Sequence, residues 1–219
     1  MKTDLSDKVA PVPKSIARPQ PSEKQLCSSI KDTLAQGNYA VAIAIMNELI
    51  VLHPNSAVYY NNRGLIYLQN NQLTEALDDL THALEINPNL DQAYNNRANC
   101  YAAQGDLIAA ISDYDISLEL NPTNIRTWIN QGITFRELGS YDLAIQNFDI
   151  ALILSNSFRE MIYAERGRAY HLRGDWNCAV ADYRYALDLL NNHPELEDYK
   201  IKVNNWLDNL FNPVFTEEF

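Results

Sequence analysis

Seven positions of residues 57–90 return in kind every 34 residues. Tyr60, Gly64, Tyr67, Ala76, Leu80, Ala83 and Pro88 are answered by Tyr94, Ala98, Tyr101, Ala110, Tyr114, Ser117 and Pro122. The next set is Trp128, Gly132, Phe135, Ala144, Phe148 and Ala151. A fourth set, one residue late, is Tyr163, Gly167, Tyr170, Ala179, Tyr183 and Ala186. A unit this short cannot bury its own apolar face, so each unit must stack on its neighbours. The chain is therefore read as one elongated array and not as one or two closed domains.

A second set of positions supports the same register. Gly37, Gly105, Gly139 and Gly174 fall at one turn position, and Asn71 fills it in the remaining unit. Gly and Asn are the residues that end helices in the left-handed conformation. Asn87-Pro88 and Asn121-Pro122 close two of the units. Ser155-Asn156-Ser157-Phe158 takes that place in the third, with one extra residue and no proline, and is the expected point of bending. The units run 57–90, 91–124, 125–159 and 160–193. Residues 23–56 form an irregular first unit, with Gly37, Ala42 and Pro54 in place but without the aromatics. Residues 194–211 are expected to cap the array, because Leu196, Tyr199, Val203, Trp206, Leu207 and Leu210 recur at helical spacing from Glu195 to Phe211. Pro11, Pro13, Pro19 and Pro21 forbid a helix in residues 1–22, which read as a disordered tail; residues 212–219 read as a loose tail.

The recurring aromatic, small, aromatic, Ala, aromatic, Ala, Pro pattern resembles the tetratricopeptide repeat. The resemblance implies an all-α, right-handed superhelix, or α-solenoid, of helix-turn-helix units. It makes Tyr60, Tyr94, Trp128 and Tyr163 packing residues and not an aromatic ligand box. It also implies that the first helix of each unit lines an inner groove that holds a peptide. On those positions the chain places Asn61, Asn62, Asn95, Asn96, Asn99, Arg126, Asn130, Glu165 and Arg168. Asn62, Asn96 and Asn130 recur at one position, as a ladder whose amides can bond a peptide backbone regardless of its side chains. The family's clamp for a terminal carboxylate is matched by Asn99 and Asn130 only, because Asn95, Met161 and Glu165 stand where it needs cations. Arg126, Arg136, Arg168 and His171 should make the C-terminal half of the groove the more basic one.

Two further positions change together. One reads Arg63, Arg97, Gln131, Arg166 and the other Asp79, Asp113, Asn147, Asp182. Both lose charge in the same unit. The joint change predicts contact within each unit: three Arg–Asp pairs and one Gln131–Asn147 amide pair, bracing the two helices against each other.

The formal net charge is -11, which argues against nucleic acid as a partner. The acid is concentrated early: residues 57–124 hold two Arg against nine Asp or Glu, and residues 125–193 seven Arg against eight. Cys27, Cys100 and Cys178 are odd in number and lack CxxC spacing, so reduced, buried thiols are expected. No phosphate loop, metal-ligand spacing or nucleophile with a base appears, and His53, His82, His171 and His193 fall at unrelated positions. No apolar run is long enough to span a bilayer, and no signal-peptide core is present. The expectation is a soluble, cytoplasmic, non-catalytic adaptor or assembly chaperone that binds a protein segment in its groove. It needs no cofactor, metal, nucleic acid or small-molecule substrate. The alternative is a self-association module that forms a homodimer through its ends or its convex face.

Overall fold

The computed structural model describes residues 22–211; the two expected tails fall outside them, except for Ser22. Eleven α-helices follow one another, with no strand among the described residues. They are α1 (Glu23–Ala35), α2 (Tyr39–Leu52), α3 (Ala57–Gln69), α4 (Leu73–Ile86), α5 (Asp91–Gln104) and α6 (Leu107–Leu120). The series continues with α7 (Ile125–Glu137), α8 (Tyr141–Leu154), α9 (Arg159–Arg173), α10 (Trp176–Leu190) and α11 (Glu197–Phe211). A short 3-10 turn, Pro194–Leu196, precedes α11. None of these helices is long and apolar enough to cross a membrane.

Each helix packs on the next, and α3, α5, α7, α9 and α11 also touch one another in succession. The odd-numbered helices thus form a continuous inner row and the even-numbered ones stand outside it. That arrangement is a right-handed α-solenoid. The core is a string of local clusters, each shared by neighbouring pairs, with Leu80, Tyr114, Phe148 and Tyr183 fully buried at the pair centres.

Local chemistry explains where the helices start and stop. Ser22 and Gln25 form a reciprocal cap at α1: the Ser22 hydroxyl accepts from the Gln25 backbone N–H, and the Gln25 side chain accepts from the Ser22 backbone N–H at 2.8 Å. Asn71 takes φ 57° and Gly105 φ 84° at the inter-helix turns, the left-handed conformation expected of those residue types. Gly132 is small for a different reason. A Cβ there would lie 2.8 Å from the buried Phe148 ring, so the two helices close to backbone distance only without one.

The 155–158 junction contains Phe158 at φ 62°, a left-handed backbone that a bulky residue rarely adopts. The C-terminal helix α11 packs on α10 and touches α9, the relation that α9 has to α8 and α7. Val203, Leu210, Trp206 and Tyr199 cover the apolar face that Ala179, Tyr183 and Ala186 present.

Candidate functional site

Three clefts follow one another along the inner row. The first, about 260 Å³, lies between α1 and α3 and is lined chiefly by carbon from Ile30, Leu34, Leu65 and Ile66. The second, about 430 Å³, is walled by Asn61, Asn62, Asn95 and Asn96, with Asp91, Arg126 and Phe158 at its far side. The third, about 240 Å³, holds Asn99, Tyr114, Asn130 and Glu137. Asn62 and Leu65 line both the first and second clefts, so these two adjoin.

The asparagines form one hydrogen-bonded chain. Asn130 Nδ2 donates to Asn95 Oδ1 at 3.3 Å, and Asn95 Nδ2 to Asn96 Oδ1 at 3.2 Å. Asn96 Nδ2 then donates to Asn61 Oδ1 at 2.9 Å, and Asn61 Nδ2 to Asn62 Oδ1 at 3.2 Å. The expected ladder ran through Asn62, Asn96 and Asn130 alone. The chain instead zigzags, with Asn61 and Asn95 making the links between units. Asn61, Asn95 and Asn96 are 2, 8 and 7 % exposed, Asn130 is half-buried and Asn62 is exposed. Amides removed from water must bond something, and here they bond each other. Asn99 is also engaged, accepting from Tyr114 Oη at 2.6 Å.

The basic half-groove expected near the C-terminus is reduced, because Arg136 is neutralised in place. Arg136 and Glu165 are both buried and pair with each other at 2.8 Å, and Tyr199 of α11 donates to Glu165 at 3.3 Å. A buried guanidinium and a buried carboxylate compensate each other in place of facing a ligand. Arg168 lies over the Trp206 ring at 4.6 Å. The His171 pKa is lowered, first by burial and then by Arg168, so it stays neutral near pH 7. Arg126 is exposed, lies 5.6 Å over the Phe158 ring and, like Arg168, forms no ion pair among the described residues.

The bracing pairs are bidentate. Arg63 Nε and Nη2 donate to Asp79 at 2.6 Å each, Arg97 to Asp113 at 2.7 and 2.9 Å, and Arg166 to Asp182 at 2.7 and 2.8 Å. Bonding to the carboxylate raises the Arg63 and Arg97 pKa values. Burial works against Arg166, yet Asp182 and Asp149 together raise it. The Gln131–Asn147 pair does not form. Gln131 Nε2 donates to Asp115 Oδ1 of the preceding unit at 2.6 Å.

That bond exposes a tie that the sequence reading missed. Arg63 also reaches back to Asn47 at 2.6 Å, and Arg166 to Asp149 at 2.5 Å. Thr81 occupies the corresponding place behind Arg97. Another missed pairing was written in the repeats: Leu65/Leu80, Asn99/Tyr114, Ile133/Phe148 and Arg168/Tyr183. Where the buried ring is a tyrosine, the residue 15 places before it is polar, and Asn99 bonds Tyr114. Tyr183 Oη nevertheless has no partner among the described residues, since Arg168 has turned to Trp206.

Only Cys100 of the three cysteines is buried; burial pushes its pKa up to about 12, whereas Cys27 and Cys178 are exposed. No cluster of three metal-ligating side chains occurs among the described residues.

Two family models described as tetratricopeptide repeat match residues 33–98 and 92–124. Serine/threonine-protein phosphatase 5 of Homo sapiens is 35% identical over 63 residues. The match takes in 29% of this chain and 13% of that protein, so the chain spans a small fraction of this curated relative's length. Among solved structures, a thermophilic tetratricopeptide-repeat protein of Thermus thermophilus superposes with a TM-score of 0.71 at 19% identity, over 83% of this chain and 98% of that one. A tetratricopeptide-repeat protein from Parabacteroides merdae gives 0.64 at 22%, over 90% and 80%. MamA from Desulfovibrio magneticus gives 0.66 at 13%, over 78% and 96%. At these identities the structural likenesses speak to the fold alone. The recurring residues, the stacked helix pairs and the family matches together make this chain a tetratricopeptide-repeat protein.

Proposed function

We propose that the chain is a non-catalytic adaptor or assembly chaperone whose groove cradles an extended segment of a partner protein. The units are taken as the five helix pairs, with α11 as the cap. The observation that carries this reading is the bonded run of asparagines walling the largest of the three clefts. Amides already locked to one another lose little freedom when a ligand arrives. The valences they retain point to a peptide backbone, which offers N–H and C=O groups in alternation. A cytoplasmic setting fits Cys100, which is held as a buried thiol.

The test must spare the amides that hold the fold. Asn96→Ala would strand Asn61 and Asn95 in the interior. Asn62, exposed, and Asn130, half-buried, cost least: water can take the place of Asn62 beside Asn61, and Asn95 Oδ1 still accepts from Thr127 when Asn130 is lost. A pull-down with wild type and with the Asn62→Ala/Asn130→Ala variant, read by mass spectrometry, identifies partners that depend on the groove. Calorimetric titration of the segment so identified should show a loss of roughly five- to a hundred-fold, about 1–3 kcal/mol. Unchanged affinity with an intact circular dichroism spectrum would exclude the groove.

Self-association is the second reading, and the largely exposed Val51 and Ile153 on the outer helices favour it. It predicts a sedimentation coefficient that rises with concentration.

A further inference from the structure

The two adjoining clefts differ in chemistry. At the α1/α3 end Ile30, Leu34, Leu65 and Ile66 offer a partner apolar contact, with the exposed Lys31 beside them. At the far end stands Arg126, the sole cation on the wall of the amide cleft among the described residues. Arg63, Arg97, Arg136, Arg166 and Arg173 each pair with a carboxylate; Arg126 and Arg168 do not, and Arg168 lies over the Trp206 ring, outside this cleft. Asp91 is the one acid on the same wall, and its Oδ2 accepts from Asn121 at 2.9 Å and Asn124 at 3.3 Å.

Phe158 sets the attitude of Arg126. A guanidinium lying over a ring face keeps its N–H groups at the edge, where a carboxylate can take two of them. Phe158 holds that ring in place from a left-handed backbone, φ 62°. Strain of this kind persists where the surroundings over-determine it, and it gathers at ligand clamps.

We propose that the groove reads an extended segment carrying a large apolar side chain and a carboxylate side chain. The apolar group enters the α1/α3 cleft, and the carboxylate meets Arg126 held over Phe158. The two subsites stand two to three helix spacings apart, at about 8–10 Å each. At about 3.3 Å per extended residue, the apolar and acidic residues are separated by roughly five to nine positions. Between them the amides take the backbone and impose no preference. This rests on the groove reading above and adds to it the chemistry of the partner.

The test is a random-peptide library, long enough to span both subsites, selected on the full-length wild type and on Arg126→Gln. Wild type should enrich an Asp or Glu at that spacing from a large apolar residue. Arg126→Gln should keep the apolar preference and lose the acidic one. For a selected peptide, Arg126→Gln should weaken binding by about ten- to a hundred-fold. The difference should shrink in about 0.5 M salt. Phe158→Gly separates clamping from packing, because it should weaken the acidic peptide without lowering the thermal midpoint by more than loss of the ring alone explains. Comparison with an acid-free peptide of the same apolar residue sets that baseline: it should bind Phe158→Gly as it binds wild type. Acidic enrichment that survives Arg126→Gln would overturn the inference. A wild-type pool with apolar but no acidic preference would overturn it and leave the groove reading standing. No enrichment on wild type would overturn both.

Discussion

A turn residue in this array has a conformational task that its neighbours do not. Gly105 sits at φ 84° with open space where a Cβ would go, so Gly105→Ala meets no clash and all of its effect is backbone strain. The expected loss is about 1 kcal/mol by denaturant unfolding. Asn71, at φ 57°, already bears part of that strain, and Asn71→Gly should be neutral or slightly stabilising. Cysteine reactivity divides in the same local way. Cys27 and Cys178 should react with a thiol reagent in the native protein at pH 8, and Cys100 only after unfolding. The folded Cys100 pKa, about 12, lies above the unfolded value. Its contribution to stability is therefore complete below the unfolded pKa of about 8.5 and is lost as pH rises from there towards the folded one. The expectation of three buried thiols failed because Cys27 and Cys178 belong to helix faces that the repeat leaves uncovered. Spacing along one helix does not report what a neighbouring helix covers.

Between helices, the arginine braces are alike in their own unit and unlike in what lies behind them. Arg63 keeps Asn47 and Arg166 keeps Asp149 if the carboxylate is removed; Arg97 has no such reserve among the described residues. Asp113→Ala should therefore be the most damaging of the three changes, at about 2–3 kcal/mol. Asp79→Ala and Asp182→Ala should remain near 1–2 kcal/mol in urea unfolding. Equal losses at all three would show that the reach into the preceding unit contributes nothing. The braces within a unit were legible because four copies of one design reveal which positions change together. The Gln131–Asp115 bond was not legible, because a shortened donor finds whichever acceptor its own length reaches. The groove was legible as a set of positions and less so as a surface. Glu165 and Arg168 occupy inward places on α9, yet Tyr199 and Trp206 of α11 take them first. Nothing in the repeat pattern itself says how closely a terminal helix will follow it.

Across the whole molecule, stability is a sum of units and the contacts between neighbours, so an end matters more than its length suggests. Removing residues 197–219 uncovers Ala179, Tyr183 and Ala186 and strips Tyr199 from Glu165. The truncated protein should aggregate on size-exclusion chromatography and melt earlier; a monodisperse product of unchanged midpoint would contradict the capping role. The joints between units are not equally fastened. Arg166–Asp149, Arg136–Glu165 and Arg173–Asp142 cross from the unit of α7 and α8 to that of α9 and α10. Between the unit of α3 and α4 and that of α5 and α6, the one side-chain hydrogen bond among the described residues is Asn96 to Asn61, on the inner row. Apolar packing does the rest. A joint pinned along one edge swings about that edge, as a door does about its jamb. The outer helices α4 and α6 should therefore part more readily than α3 and α5, and a change of curvature at this joint, in place of the 155–158 junction that the sequence suggested, would be felt at the cleft walled by Asn61, Asn62, Asn95 and Asn96.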